Sequence, residues 1–360
     1  MTDPLASALA GASGYVGQHF ARLLSEHPDF GPPLLLGSER SAGRRLADLW
    51  QLGEEPPGAL EGERLRTATP AALAKAGVQV LFSALPSGTA GPFETACARR
   101  GIAVFTNAAD HRLDPDVPLL VPEVNLGHLC LLEHRPKGRA PIVANPNCTT
   151  TGLVVALAPL RGLLRPRSVH VASYQAISGA GYPGVPSLSI ADNVVPFIPE
   201  EEEKVAQESA RILGRAGSVG VTPWKPAVLA QCARVNVREG HLEAVTVESR
   251  SRASLEELVG AFRKFDPLSK AGLPTAPHPP VIWRPQADRP QPLRDRWAGG
   301  PGRTRGMAVV VGRLRWTPPY LRFFLLSHNA VRGGAGGSVL NAEAALREGY
   351  LGPPGRRPGR

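Results

Sequence analysis

Cysteine is scarce in this chain of 360 residues, with four, and methionine scarcer, with two. Cys97, Cys130, Cys148 and Cys232 make no C-x-x-C pair, so their spacing offers neither a zinc site nor a disulfide framework, and no metal is expected. No apolar run approaches the roughly 20 residues of a membrane span. The start, MTDPLASALAGASG, lacks a basic region followed by a long apolar segment, so it does not read as a signal peptide, and a cytoplasmic protein is expected. Acidic residues are the minority charge, 31 against 41 basic, which leaves a net +10. That excess is not gathered on one element. Its only dense runs are 294-RDR-296, 303-RTR-305 and 353-PPGRRPGR-360, so no nucleic-acid partner is expected. Anionic small molecules account for the charge more simply. Glycine (39) and proline (37) are plentiful but dispersed, which implies many turns and a frayed end only at 351–360.

What is present is a change of pattern near the middle. Up to residue 147, short apolar runs alternate with helical stretches. LASALAG (5–11) leads into 14-GYVGQHFARLLSEH-27, where Val16, Phe20, Leu23 and Leu24 share one helical face. PLLLG (33–37), VQVLFSAL (78–85), IAVFTN (102–107) and PIVAN (141–145) follow as further strands. This alternation predicts a doubly wound parallel sheet. Segments 168–176, 229–237, 242–249, 307–316 and 321–329 are instead long and alternating or β-branched, and predict a largely antiparallel sheet with helices over 201–214 and 253–264. A last amphipathic helix over 335–349 is expected to pack back on the first unit. The division expected is 1–147 with 334–360, and 148–333.

Gly11, Gly14 and Gly17 follow the first apolar run at the head of a helix. In that place they suit a tight turn that lets a pyrophosphate approach the backbone. The strand before them is unusual, all alanine, serine and leucine with no β-branched residue. After the second strand, 37-GSERSAGRR-45 sets Glu39 beside Arg40, an acid for ribose hydroxyls against an arginine for an extra phosphate. Ser38, Arg40 and Ser41, with Arg44 and Arg45 beyond, favour NADP(H).

Cys148 stands in 145-NPNCTTTGL-153, where an extended segment meets a helix expected over 148–160. A lone cysteine is ordinarily core. At a helix start, however, backbone N–H groups and the dipole favour a thiolate and can hold an oxyanion. The stretch NPNCTTTG resembles the active-site motif of aspartate-β-semialdehyde dehydrogenases of the archaeal and fungal branch. So do GASGYVG, GSERSAG, FSALPSG (82–88), DPDVPLLVPEVN (114–125), YQAISGAGYPGVPS (174–187), NVVPFIPEEEEK (193–204), RVNVREGH (234–241), DRPQP (288–292) and HNAVRGGAGGSVLNAE (328–343).

The resemblance implies an α/β protein: a Rossmann-type doubly wound parallel sheet joined to an α+β catalytic and dimerisation domain, in a homodimer or homotetramer. It implies Cys148 as nucleophile, His241 as acid–base group and Gln175 as the amide that orients the reacting carbon. Arg234 and Glu202 would bind the amino-acid ends of the substrate, Arg112 and Lys204 its phosphoryl group, and Asn147 would assist. For Arg112, pairing with Asp114 or Asp116 is the plainer alternative. Gly11, Ser13, Gly14, Tyr15, Val16, Ser83, Leu85, Pro86, Ser178, Gly179 and Asn341 would join Ser38, Arg40 and Ser41 around NADP(H). The activity implied is reduction of aspartyl phosphate with release of phosphate. Malonyl- or succinyl-CoA reductase, N-acetyl-γ-glutamyl-phosphate reductase and a catalytically silent NADP sensor stand as alternatives, the reductase of glutamyl phosphate disfavoured by its different cysteine and histidine motifs. Arg234 and His241 are seven apart, so on one strand they would face opposite ways; the R-E-G stretch between them must turn the chain.

Overall fold

The computed structural model describes residues 3–218, 220–251 and 253–351, so most of the 351–360 end, with its basic run, lies outside the described residues. Five strands build the first sheet: β1 (Ser7–Ala10), β2 (Leu34–Leu36), β3 (Val80–Ser83), β4 (Ala103–Thr106) and β5 (Ile142–Ala144). Their order is β2-β1-β3-β4-β5 and every pairing is parallel. Helices α1 (Tyr15–Leu24), α2 (Pro70–Lys75), α3 (Ala90–Ala98) and the short α4 (Pro122–Asn125) fill the connections. The odd composition of β1 now has a reason. It lies between β2 and β3, buried on both faces, where Ala8 and Ala10 pack with Leu81 and Cys97 while Leu9 packs with Phe20 and Phe82.

After α5 (Cys148–Leu157) the chain forms a seven-stranded sheet. Its strands are β6 (Pro166–Gln175), β7 (Val194–Val195), β10 (Ala227–Val235), β11 (His241–Ser249), β12 (Val281–Arg284), β13 (Val309–Thr317) and β14 (Tyr320–Ser327). The order is β12-β13-β14-β11-β6-β10-β7. The hairpin β8 (Arg215–Gly217) and β9 (Gly220–Thr222) stands apart. Helices α6 (Ser187–Ile190), α7 (Glu201–Ile212), α8 (Leu255–Lys264) and α9 (Pro292–Asp295) complete this part. The sheet is mostly antiparallel, with two parallel pairs, β6–β10 and β12–β13. The first arises because α6, β7 and α7 carry the chain back to the starting end of β6.

Alternation along these strands sends Val169, Val171, Val245, Val247, Phe323 and Leu325 inward, into one core with the apolar residues of α5 and α8. The other face carries Tyr174, Leu229 and Tyr320, all exposed. The last helix, α10 (Gly336–Arg347), returns to the first sheet, where Ala335, Val339, Ala342 and Ala345 join the core of Phe20 and Phe82. Both sheets thus end at one seam, crossed by α5 and by the chain entering α10. No helix among the described residues is long and apolar enough to cross a membrane.

Candidate active site

The glycines after β1 divide into two jobs. Gly11 has φ +77°, and a Cβ there would lie 2.6 Å from Ala84 O; one at Gly17 would lie 2.0 Å from Gly11 O. Those two positions close the turn against its neighbours. Gly14 instead caps α1, and a Cβ there would meet only Gly11 O, at 3.4 Å. No side chain caps α1, so the first N–H groups of the helix are left for a ligand. Gly14, Tyr15 and Val16 with Ala84–Ser87 form one wall of a cavity of about 570 Å³. Across it lie Ser178–Tyr182 and the stretch Asn329–Gly334, and Cys148 is at its inner end. An extended dinucleotide fits this arrangement: open glycine backbone at a helix start, then a channel to a sulfur.

Several expected cofactor contacts lie outside that wall. Ser38 and Arg40 are exposed and Ser41 half-buried in the turn after β2, beyond the cavity. Ser83 is buried beside Glu94. Asn341 is buried with Nδ2 3.5 Å from Asn145 Oδ1, and Ser13 lends its carbonyl to Gln18 Nε2. Ser13, Ser83 and Asn341 are not among the residues that line the cavity.

Cys148 opens α5, and Asn147 is its N-cap, with Oδ1 accepting from the N–H groups of Thr149 and Thr150. Asn147 Nδ2 donates to Glu201, and Asn147, expected at the substrate, also lines the cavity. Cys148 Sγ lies 3.2 Å from His241 Nε2. On its other side Gly333 packs so tightly that a Cβ there would lie 2.5 Å from Cys148 Cβ. Burial, aided by the charge of Glu201, pushes the thiol up to about 12, against the opposing pull of Arg234, Arg112 and the Thr149 N–H. The helix start therefore does not by itself yield a thiolate. Full burial and the charge of Arg234 bring His241 down to about 3, so the ring is neutral in the free protein.

The turn anticipated between Arg234 and His241 occupies 236–240, where the Val237 and Arg238 carbonyls accept the N–H groups of Ile177 and Ser178, just past the end of β6. Arg234 Nη1 donates to Ala176 O at 2.9 Å. Gln175, fully buried, donates to Glu201 Oε1 at 2.8 Å and to Ser173 Oγ at 3.2 Å. Gly179 must be glycine here, because a Cβ would come within 2.7 Å of Arg234 Nη1 and 3.2 Å of His241 Cε1.

The acidic run 200-EEEEK-204 resolves differently from expectation. Glu202 does not line the cavity; its carboxylate accepts Cys232 N–H at 3.0 Å. Its neighbour Glu201 does, buried against Asn147, Thr149 and Gln175. Glu201 and Lys204 are three apart and share a helix face, whereas Glu202 and Lys204, two apart, do not. Both Glu201 and Lys204 reach the cavity. Arg112 reaches it as well, held by Glu208 at 2.8 Å and by the carbonyls of Asn107 and Asn145, and not paired with Asp114 or Asp116. Glu208 also accepts Asn147 N–H at 2.6 Å, so one buried carboxylate ties the arginine to the cysteine's cap. No group of three or more His, Cys, Asp or Glu placed to hold a metal occurs among the described residues.

Comparison with known proteins agrees with this geometry. Residues 7–131 match the model of a semialdehyde dehydrogenase NAD-binding domain, and 157–332 that of a semialdehyde dehydrogenase dimerisation domain. An aspartate-semialdehyde dehydrogenase of Archaeoglobus fulgidus is 44% identical over 94% of this chain and 97% of its own. A malonyl CoA reductase (NADP) of Metallosphaera sedula is 36% identical over 98% and 99%. Among solved structures, aspartate semialdehyde dehydrogenase with NADP from Candida albicans superposes with TM-score 0.84 at 34% identity, covering 95% of this chain and 99% of that one. With matches of that extent to both halves, the chain belongs to the semialdehyde dehydrogenase family.

Proposed function

We propose that the chain catalyses NADPH-dependent reduction of L-aspartyl-4-phosphate to aspartate semialdehyde with release of phosphate, in aspartate-family amino-acid biosynthesis. One observation carries the reading: Cys148, 3.2 Å from His241, lines a single cavity between an open glycine turn and a set of charged side chains. Cys148 Sγ attacks the acyl carbon and phosphate departs, leaving a thioester. Gly14 and the N-terminus of α1 would hold the pyrophosphate, Ser38, Arg40 and Ser41 the extra phosphate, and the 178–182 and 329–334 stretches the nicotinamide end. The chemistry supplied by NADPH when bound is one hydride, which takes the thioester to the aldehyde level. Arg234 grips the α-carboxylate, Glu201 the ammonium, and Arg112 with Lys204 the phosphoryl oxygens. Gln175, fixed through Glu201 and Ser173, orients the carbonyl. The cofactor unit is 1–147 with 334–360 and the catalytic and dimerisation unit 148–333, in a cytoplasmic homodimer or homotetramer.

A CoA-thioester substrate is the second reading, favoured by the reductase from Metallosphaera sedula. The two part in the oxidative direction. With semialdehyde and NADP⁺, turnover is expected to need phosphate or arsenate and to ignore CoA. Arg112→Ala is expected to raise KM for phosphate while leaving that for the semialdehyde nearly unchanged. CoA-dependent, phosphate-independent reduction of NADP⁺ would replace the first reading with the second.

A further inference from the structure

A second, smaller cavity of about 160 Å³ lies beside α1 and shares no lining residue with the one at Cys148. One wall is α1 with the stretch 52–54, from the part of the chain before α5. The other is the turn before β11 with the residues just after α9. Volume sets a first limit on what it can hold. Pockets for drug-sized ligands hold about 300–1,000 Å³. This one has room for about five waters, enough for one small ion and too little for a nucleotide.

Charge sets a second limit. Arg22, Arg238 and Arg296 line the cavity against two acids, Glu54 and Glu239. Both acids are already engaged. Glu54 pairs with Arg22 at 3.2 Å and with Arg305, while Glu239 accepts the Tyr15 hydroxyl and lies 3.5 Å from Arg296 Nε. Arg238 is not. Its guanidinium reaches over Gly53, where a Cβ would lie 3.6 Å from Nη2, yet it makes no hydrogen bond or ion pair among the described residues. The third limit is the set of donors without acceptors. His19 is 1% exposed and neither ring nitrogen has a partner; Arg296 Nε is buried without a hydrogen bond as well. Buried polar groups left in that state are uncommon. Burial and Arg22 bring His19 down to about 3, so the ring is neutral, with one N–H to give and one nitrogen to accept. Phosphate at neutral pH carries both acceptor oxygens and an O–H, and so suits a neutral imidazole whichever nitrogen it meets.

We propose that this cavity is a phosphate-binding site separate from the catalytic one, in which His19, Arg238 and Arg296 hold one ion between the two parts of the chain. Trp297 forms part of the lining, and Arg305 and Arg22 lie over its ring at 4.4 and 5.7 Å from the centroid, so further positive charge is fixed beside the site. Glu239 stands between the two cavities, since the Tyr15 hydroxyl it accepts belongs to a residue of the glycine-turn wall. An ion on Arg296 and Arg238 fastens the turn before β11 to α1, the helix whose start faces the cofactor. No step of the proposed reaction uses the site.

Equilibrium dialysis of radiolabelled inorganic phosphate against the full-length protein tests this. NADPH is kept saturating and Arg112→Ala with Lys204→Ala is present in every sample, so that neither the cofactor's own phosphate positions nor the cavity at Cys148 is counted. Saturable binding of a single phosphate per chain is expected. Arg238→Gln, a change at an exposed position that does not threaten the fold, is expected to weaken it about threefold to fivefold. Adding His19→Phe, which keeps a ring in place and removes both nitrogens, should bring the loss to about tenfold or more. Absence of saturable phosphate before these two changes would mean that the cavity holds water only, and overturns the proposal. A saturable phosphate that Arg238→Gln and the pair both leave unchanged lies elsewhere and overturns it too. Turnover is not read, so a protein lacking the dehydrogenase activity would sink the proposed function and leave this result standing.

Discussion

Glu201 and Glu202 differ by one position and about 100° around α7, and that angle decides which of them can meet a substrate. Glu201 faces Asn147, Thr149 and Gln175, and Glu202 faces the backbone of Cys232. Glu201→Gln keeps the shape and removes the charge. Hydrogen bonds to charged groups are worth roughly 1.5–3 kcal/mol, so kcat/KM for the semialdehyde is expected to fall about 10- to 100-fold. Glu202→Gln is expected to change it less than about threefold, its cost falling on stability through the Cys232 contact. Steady-state kinetics of the two variants decide the matter, and equal losses would show that the register inferred for α7 does not govern substrate binding. The sequence made Cys148, Gln175, Arg234 and His241 legible because they lie in three distinct motifs, the last two at the ends of RVNVREGH. It left Glu201 hidden among four glutamates, although the three-residue spacing to Lys204 was the usable signal. Glu208 and Ala176 N–H were not legible at all. Their partners, Arg112 and His241, lie 96 and 65 residues away, and only the assembled fold brings them together.

At the scale of elements, α5 lies over β11 and β14 on a polar patch that the proposed chemistry does not use. Gly152, one turn after Cys148, approaches the sheet so closely that a Cβ would lie 2.8 Å from Ser327 Oγ and 3.1 Å from Glu243 Oε1. Neither oxygen of Glu243 has a hydrogen-bond partner among the described residues. Burial, with the nearby Glu201, holds its carboxyl well above the usual carboxylate range. At acid pH the group is protonated whether the chain is folded or not. Above about pH 4 the unfolded chain releases a proton that the folded chain keeps, so wild-type stability falls as pH rises toward the folded value. Glu243→Gln has no such proton. Its Tm relative to wild type is expected to climb from pH 5 to 8, by up to about 1.4 kcal/mol of stability per pH unit. A difference that stays flat across that range would mean that Glu243 is ionised in the folded protein. Strand and helix limits were readable to within a few residues, since alternation and 3.6-residue periodicity are local. The parallel pairing of β6 with β10 was not, because it depends on where α7 returns the chain.

For the whole molecule, the outer face of the large sheet is the surface that the described chain leaves bare. His170, Ala172 and Tyr174 of β6, Leu229 and Gln231 of β10, and Ala244 of β11 point outward there, and Tyr174 and Leu229 are 41% and 53% exposed. A β-sheet face with that much apolar side chain is usually covered, and the family model spanning these strands is a dimerisation domain. Assembly of like subunits follows from the family; that this face carries it is our proposal. Charges at its centre are expected to separate the subunits. Tyr174→Glu combined with Leu229→Glu should bring the mass in sedimentation down to that of one chain, without loss of NADPH binding, because the glycine turn proposed to hold the cofactor follows β1, in the other sheet. Activity is expected to drop about tenfold or more even so, since displacements near 1 Å at a reacting centre can cost about a hundredfold. The cause is shared structure: Tyr174 on the outer face is followed by Gln175 in the site and Ala176 on His241, so a β6 released on one face loses its hold on the other. If the double variant keeps the wild-type mass, the interface lies elsewhere. If it becomes a single chain with full activity, the coupling through β6 is absent although the interface is right.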